Sequence, residues 1–309
     1  MSTLHTVLGA TGGAGRAIAE ELIRQGKRVR TVNRSGSPLP GAEETLAADI
    51  ETADGAAEAV AGSDVVYLAA QPPYDEWQGR FPAMLDNVID AVERDGAKLV
   101  MVDNLYMYGP GSSAMAEDTP MRAGDKKGRV RIEMVEMLDA AIDRGVRVTS
   151  GRASDYFGSG SGNSAVTALA IEPALERKAP RWMGRTDVAH SLAYLPDVAR
   201  AYVALGTHER AHGHHWVLPH VATVTGAEFL DLITTAAGLP ASKGRISKPM
   251  LMMAAPFHTI SRESLGVYYQ WDQPFVADSS RFESAFGPFE STPLAEAVAQ
   301  TLGVGHRVA

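Results

Sequence analysis

The residues Gly9-Ala-Thr-Gly12-Gly13-Ala-Gly15 combine small size and spacing in a way that suits phosphate binding. Gly9 permits a tight turn, Gly12 lets backbone N–H groups approach a pyrophosphate, and Gly15 allows a helix to pack close on a strand. The partial positive charge of the helix N-terminus then faces the phosphates. The whole turn, Thr11, Gly13 and Ala14 included, is expected to line a dinucleotide. A glycine triplet alone is a weak signal, and the setting strengthens it. Leu4 to Leu8 reads as a buried strand. Ala14, Ile18 and Leu22 form the apolar stripe of the next helix, and Arg28 to Asn33 reads as a second strand.

The end of that second strand selects the dinucleotide. An NAD site places Asp or Glu about 20 residues past the glycines, to accept hydrogen bonds from the ribose hydroxyls. Here the position holds Asn33, followed by Arg34 and Ser35. Asn does not repel a 2′-phosphate, and a guanidinium fork can pair with one. NADP(H) is therefore expected ahead of NAD. The alternative is that Arg34 is an ordinary solvated loop residue.

The elements that must hold this site alternate in the first half of the chain. Strands are expected near Glu44 to Ala48, Asp64 to Ala70, Lys98 to Val102 and Val146 to Ser150. Helices are expected near Ala53 to Ala61, along the face Phe81, Met84, Leu85, Val88, Ile89 and Val92, and along the stripe Val130, Met134, Met137, Leu138 and Ala141. The loop from Asn104 to Gly128 is long enough to be functional. Further helices are expected over Ser164 to Arg177, from Pro196, from the capping box Thr225-Gly-Ala-Glu228 and from Thr292-Pro293. The fold class is α/β, a Rossmann-type doubly wound parallel sheet over 1–153. A smaller C-terminal substrate lobe covers 154–309, with segments near 190–220 returning to the Rossmann body.

With 309 residues, 45% apolar and 21% charged, the chain reads as an ordinary globular protein. Its net charge of −8 speaks against a nucleic-acid partner and gives no reason to expect a membrane one. The absence of cysteine excludes disulfides, thiolate metal sites and cysteine nucleophiles. No basic segment leads into a long apolar core near the N-terminus, and the patch Met250 to Phe257 is too short to span a bilayer. A cytoplasmic location is expected. His208, His212, His214, His215 and His220 invite a metal, but His214 and His215 point to opposite faces of a strand, and no metal is expected.

These motifs resemble the short-chain dehydrogenase/reductase superfamily, most closely its extended branch of NAD-dependent epimerases and dehydratases. Asp49-Ile50 lies where that family sets an Asp against the adenine amine, and Ala69-Ala70 where its fourth strand runs under the cofactor. Tyr108-Gly-Pro, Arg152-Ala-Ser-Asp-Tyr-Phe-Gly158, Ala193-Tyr-Leu-Pro-Asp197 and Asp278-Ser-Ser-Arg-Phe resemble later landmarks.

The catalytic pattern departs from the family. A Tyr-x-x-x-Lys pair, helped by Ser or Thr, moves the proton there while hydride moves to or from nicotinamide. No tyrosine lies between Tyr108 and Tyr156, and the register puts Lys127 at the Tyr position, Arg131 at the Lys position and Asn104 at the Ser/Thr position. The resemblance implies that Arg131 holds the nicotinamide ribose, unless it is a solvated arginine paired with a helix carboxylate. Lys127 can donate a proton if burial disfavours its charge, or is simply solvated. Asn104 can hydrogen-bond a substrate carbonyl, or merely form a turn. Tyr106 is the first candidate donor, Lys127 the second, and Gln71, Tyr74, Tyr108, Asp155 and Tyr156 are expected around the substrate. The leading expectation is an NADPH-dependent reductase of a small carbonyl or activated double bond, with a homodimer possible. The rivals are a nucleotide-sugar epimerase or dehydratase, and a non-catalytic NADP-binding redox regulator.

Overall fold

A five-residue apolar segment, Leu4–Leu8, forms β1 and is buried along its whole length, as a central strand of a parallel sheet must be. The computed structural model describes residues 3–111, 114–162 and 164–304, and the chain divides into two units.

The first unit comprises Met1–Met107, Lys126–Arg152 and Ala199–Trp216. After β1 come α1 (Gly13–Arg24), β2 (Arg28–Asn33), β3 (Glu44–Ala47), α2 (Ala53–Val60), β4 (Val65–Leu68), α3 (Trp77–Asp95), β5 (Lys98–Asp103), α4 (Lys126–Asp143) and β6 (Arg147–Arg152). Together with the strand His214–Val217 they make a seven-stranded sheet. Its order is His214–Val217, β6, β5, β4, β1, β2, β3. Every pairing from β3 across to β6 is parallel. The strand order reverses between β1 and β4, and doubly wound sheets take their ligands in the crevice at such a reversal. This is the Rossmann-type architecture that the alternation of strands and helices predicts.

Local sequence explains the helix boundaries. The Thr52 hydroxyl accepts a hydrogen bond from the Gly55 N–H and caps α2. Extended backbone at Gln78 and a left-handed Gly79 (φ 78°) kink α3 just after Trp77, and Gly96 ends it at φ 69°. α3 packs against both α2 and α4. Leu85, Val88 and Ile89 of α3 share one core with Leu8, Leu68, Leu99 and Met101 of the sheet and with Met134 and Leu138 of α4. The buried face of α4 differs from its expected stripe. Lys127 and Arg131 are buried on it, while Met137 is only partly so. The two cations are tolerated inside because each has partners, described below.

The second unit comprises Tyr108–Asp125, Ala153–Val198 and Val217–Ala309. A three-stranded sheet runs Ala222–Thr225, Ala189–Tyr194, Asp155–Phe157, with the first pairing antiparallel and the second parallel. Arg181–Met183 and Gly244–Ile246 pair in parallel as a separate two-stranded sheet. The expected helix over Ser164 to Arg177 is built with π-helical turns at Thr167–Ile171, followed by Glu172–Leu175. The capping box at Thr225 and Glu228 forms, and its helix Gly226–Ala237 stops at a left-handed Gly238. Phe157, Trp182, Phe229 and Trp271 lie in one apolar core.

Candidate nicotinamide dinucleotide site

The turn after β1 is closed too tightly for side chains. Gly9 sits at φ 87°, and a Cβ there would lie 2.6 Å from the Ala70 nitrogen. A Cβ on Gly15 would lie 2.3 Å from the Gly9 carbonyl oxygen, whereas at Gly12 that oxygen would be a comfortable 3.5 Å away. Gly9 and Gly15 are thus fixed by the chain's own packing, and Gly12 by nothing inside the chain. That is the pattern expected if Gly12 keeps space for an approaching phosphate. Gly12 caps α1 in extended conformation, with no side-chain hydrogen bond and no acidic residue in the first turn. The first amides of α1 therefore keep their dipole for an anion. Thr11 is exposed at the lip of the turn and Gly13 half-buried, while Ala14 is buried beneath it. The residues present fit a dinucleotide pyrophosphate.

The residues expected at the adenosine end lie at the end of β2 and just after β3. Asn33 is buried, and its side chain organises the following loop. Its Nδ2 donates to the Ser37 carbonyl at 2.9 Å, and its Oδ1 accepts from Ser35 Oγ at 2.8 Å and from the Ser37 N–H at 2.9 Å. Asn33 therefore shapes the loop that displays Arg34. Arg34 and Ser35 are exposed, and Arg34 has no hydrogen-bond or ion-pair partner among the described residues. Asp49 is exposed, its Oδ1 accepting from the Glu51 N–H at 3.1 Å, and Ile50 is buried beside it. Ala69 and Ala70 are half-buried after β4, with Ala69 Cβ 3.2 Å from where a Gly15 Cβ would stand. Gln71 is exposed.

The residues expected to do chemistry converge on one indole. Trp77 is 2% exposed and stacks on Tyr106 at 6.3 Å, with Tyr74 and Phe81 edge-on at 5.1 and 5.3 Å. Lys127, on the first turn of α4 and not in the preceding loop, is buried, with Nζ 4.2 Å from the Tyr74 ring centre and 5.1 Å from that of Trp77. Its ammonium also donates to the Tyr74 carbonyl. One turn later the Arg131 guanidinium lies 4.6 Å from the Trp77 ring and 4.7 Å from that of Phe81. Asn104 and Tyr106 belong to one turn, in which Asn104 Oδ1 accepts from the Tyr106 N–H at 3.0 Å. The turn-forming role of Asn104 is thus realised, which leaves its Nδ2 as the group able to donate.

Arg131 does not stand as a solvated arginine. Its Nη1 lies 3.0 Å from Asp103 Oδ1, with both side chains no more than 5% exposed. Arg152 Nε lies 3.8 Å from the other oxygen of the same carboxylate. Asp103 Oδ1 also accepts from the Asn104 N–H at 2.8 Å. Two buried guanidinium groups therefore share one buried carboxylate at the C-terminal ends of β5 and β6, which pair Asp103 with Arg152 in register. Sequence reasoning missed Asp103, for which a charged residue ending the apolar run of β5 was the available signal. It did not foresee Trp77 as the centre on which Lys127 and Arg131 converge.

In the second unit, Tyr108 is fully buried, which fits packing and not substrate contact. Tyr156 is half-buried. Asp155 Oδ2 lies 2.9 Å from His190 Nε2, and the His190 ring is buried, stacked at 4.6 Å on Trp271 and edge-on to Trp182 at 5.6 Å. The five clustered histidines hold no metal set. His215 is tied to Ser150 Oγ at 2.6 Å and to Asp139 at 2.9 Å, and the described residues contain no group of three or more ligating side chains.

The profile of the NAD dependent epimerase/dehydratase family matches residues 5–218. The chain belongs to that family. No curated protein matches the chain by sequence. Among solved structures, UDP-glucuronic acid 4-epimerase from Bacillus cereus, in complex with UDP-glucuronic acid and NAD, is 16% identical with a TM-score of 0.78, over 97% of this chain and 98% of that one. The dTDP-glucose 4,6-dehydratase from Bacillus anthracis, in complex with NAD, is 13% identical with a TM-score of 0.79, over 98% and 96%. A nucleoside-diphosphate-sugar epimerase from Pseudomonas aeruginosa is 17% identical with a TM-score of 0.76, over 97% and 96%. At these identities the likeness is one of fold. Within this epimerase/dehydratase frame, the two α4 positions that the resemblance assigns to Tyr and Lys are Lys127 and Arg131, both drawn onto Trp77.

Proposed function

We propose that this member of the epimerase/dehydratase family binds a nicotinamide dinucleotide in the turn after β1, with NADP(H) ahead of NAD, and carries out oxidoreduction at a hydroxyl or carbonyl carbon. The turn supports this reading most: Gly15 cannot carry a Cβ, Gly12 can, and the α1 amides have no side-chain cap. The NADP preference rests on Arg34, exposed and without a partner among the described residues, beside a loop-forming Asn33. The nucleotide-linked sugar is the substrate class best supported by the family and by the fold shared with sugar-nucleotide enzymes. Reduction of a small carbonyl is the second reading. It is favoured by the replacement of the Tyr and Lys positions by Lys127 and Arg131.

When bound, the nicotinamide gives or takes hydride. The chain's part is to supply a proton and to orient the reacting carbon. Tyr106, stacked on Trp77 beside the Asn104 amide, is the proposed proton donor, and Asn104 Nδ2 the group that orients the substrate oxygen. Lys127 contributes fixed positive charge against developing negative charge.

Titration with NADPH and NADH tests the cofactor reading. Arg34→Ala is expected to lose about 1.5–3 kcal/mol of NADPH binding, roughly tenfold or more, with NADH little changed. Equal weakening of both would remove the phosphate role, and no binding of either would overturn the reading. Turnover of UDP- and dTDP-sugars against a carbonyl panel then separates the two substrate classes. On the productive substrate, Tyr106→Phe is expected to slow single-turnover chemistry by about 10²- to 10⁴-fold. An unchanged rate would exclude Tyr106 as donor.

A further inference from the structure

Eight large apolar side chains are strongly exposed among the described residues, and five of them lie within 250–260. Met250, Met252, Met253, Phe257 and Ile260 are 44%, 57%, 70%, 92% and 61% exposed. They sit in the second unit, on the short helices Lys248–Ala254 and Thr259–Ser264 and the turn between them. Leu251 and Ala255 are buried, so one side of this stretch is anchored and the other projects. Charge is sorted along the same segment. Lys243, Arg245, Lys248 and Arg262 are exposed, and 241–262 contains no acidic residue. Arg181, also exposed, lies opposite Gly244 on the paired strand. The adjoining Glu263 is half-buried, 3.9 Å from Arg262. This cationic, apolar stretch stands out in a chain of net charge −8.

We propose that residues 243–262 form a peripheral docking surface for an anionic lipid bilayer. Whole-chain charge argues the other way, but headgroup attraction acts within about a Debye length and responds to local charge. The projecting shape favours lipid over protein. A side chain as exposed as Phe257 needs a matching recess in a protein partner, whereas fluid acyl chains accommodate it without one. The three methionines adapt to either medium. Basic residues behind an apolar tip are the arrangement that lets a segment lie in the interface without spanning it. No helix among the described residues is long and apolar enough to cross a membrane.

Sedimentation of the full chain with vesicles tests this. Phosphatidylcholine vesicles containing roughly one-third phosphatidylserine are expected to bind roughly tenfold more tightly than phosphatidylcholine alone, and the difference should shrink as salt rises. The pair Met253→Ser and Phe257→Ser should lower binding to anionic vesicles by roughly tenfold or more. Lys243→Gln and Lys248→Gln should each lower it about fivefold. Unchanged thermal midpoints establish that these surface variants fold. Equal binding to both vesicle types, or none, overturns the proposal. So does a dimer in vesicle-free solution that Phe257→Ser converts to monomer, because a second copy would then cover the face.

Discussion

Asp103→Asn should be the most damaging single-charge change in the Rossmann unit. The substitution keeps the shape and leaves an oxygen for the Asn104 N–H, but it removes the carboxylate charge between Arg131, at 3.0 Å, and Arg152, at 3.8 Å. Breaking a buried pair by neutralising one partner costs about 3–5 kcal/mol, because the other charge stays buried. The lower end is expected. The Trp77 and Phe81 faces still hold the Arg131 guanidinium, and a desolvated contact of that kind contributes about 2 kcal/mol. A loss near 3 kcal/mol corresponds to roughly 6 to 12 °C in thermal midpoint. Because the chain has two units, a single transition is not assured. Urea-dependent hydrogen exchange of β5 and α4 peptides would read the Rossmann unit directly. Adding Arg131→Met should recover part of the loss by removing one stranded cation. A single variant within about 1 kcal/mol of the parent, or a double variant no better than the single, would refute the view that this carboxylate holds both arginines.

Other expectations follow from the same geometry. Gly15→Ala places a methyl 2.3 Å from the Gly9 carbonyl, so the turn must move; NADPH binding should fall by at least roughly tenfold, and unchanged affinity in calorimetry would dissociate the turn from the cofactor. His5 is pushed down from 6.5 to about 4, by burial first and then by Lys27 and Lys98 against the opposing pull of Asp64. Its neutral form is thus the folded one. The stability it contributes is complete above about pH 6.5 and is lost as pH falls towards 4. Urea midpoints of His5→Asn should therefore vary less than those of the parent across that window. His212, also lowered to about 4, keeps some slope. Thr225→Ala removes the cap of the helix Gly226–Ala237 and should cost about 1 kcal/mol, checked by the thermal midpoint of the second unit.

The backbone of the cofactor site was readable because it depends on local rules. Gly9 to Gly15 between an apolar strand and an amphipathic helix has one economical conformation, and the structure adopts it. The register also set Lys127 and Arg131 at the family's Tyr and Lys positions, but the expected loop ran to Gly128 and left Lys127 outside the helix that in fact begins at Lys126. What these two side chains meet was not readable. Trp77 precedes both by some fifty residues and reaches them only through the kink at Gln78 and Gly79, which no periodicity announces. Asp103 was hidden for a related reason. The expected strand stopped at Val102, one residue short of Asp103, whose pairing depends on register with Arg152 across the sheet. The π-helical turns at Thr167–Ile171 likewise carry no signature that separates them from an ordinary helix.

The seven-stranded sheet also fixes an order of events during synthesis. Its edge strand His214–Val217 joins β6, yet about 60 residues separate the two in sequence. At roughly 5–20 residues per second, the ribosome delivers that strand on the order of 3 to 12 seconds after β6 has emerged. Throughout that interval β6 carries an open row of backbone donors and acceptors, the kind of edge that recruits other nascent chains. A polypeptide released before residue 214 would keep this edge permanently. Yield of native protein should therefore depend more on translation speed and chaperone supply between residues 153 and 213 than anywhere earlier in the chain.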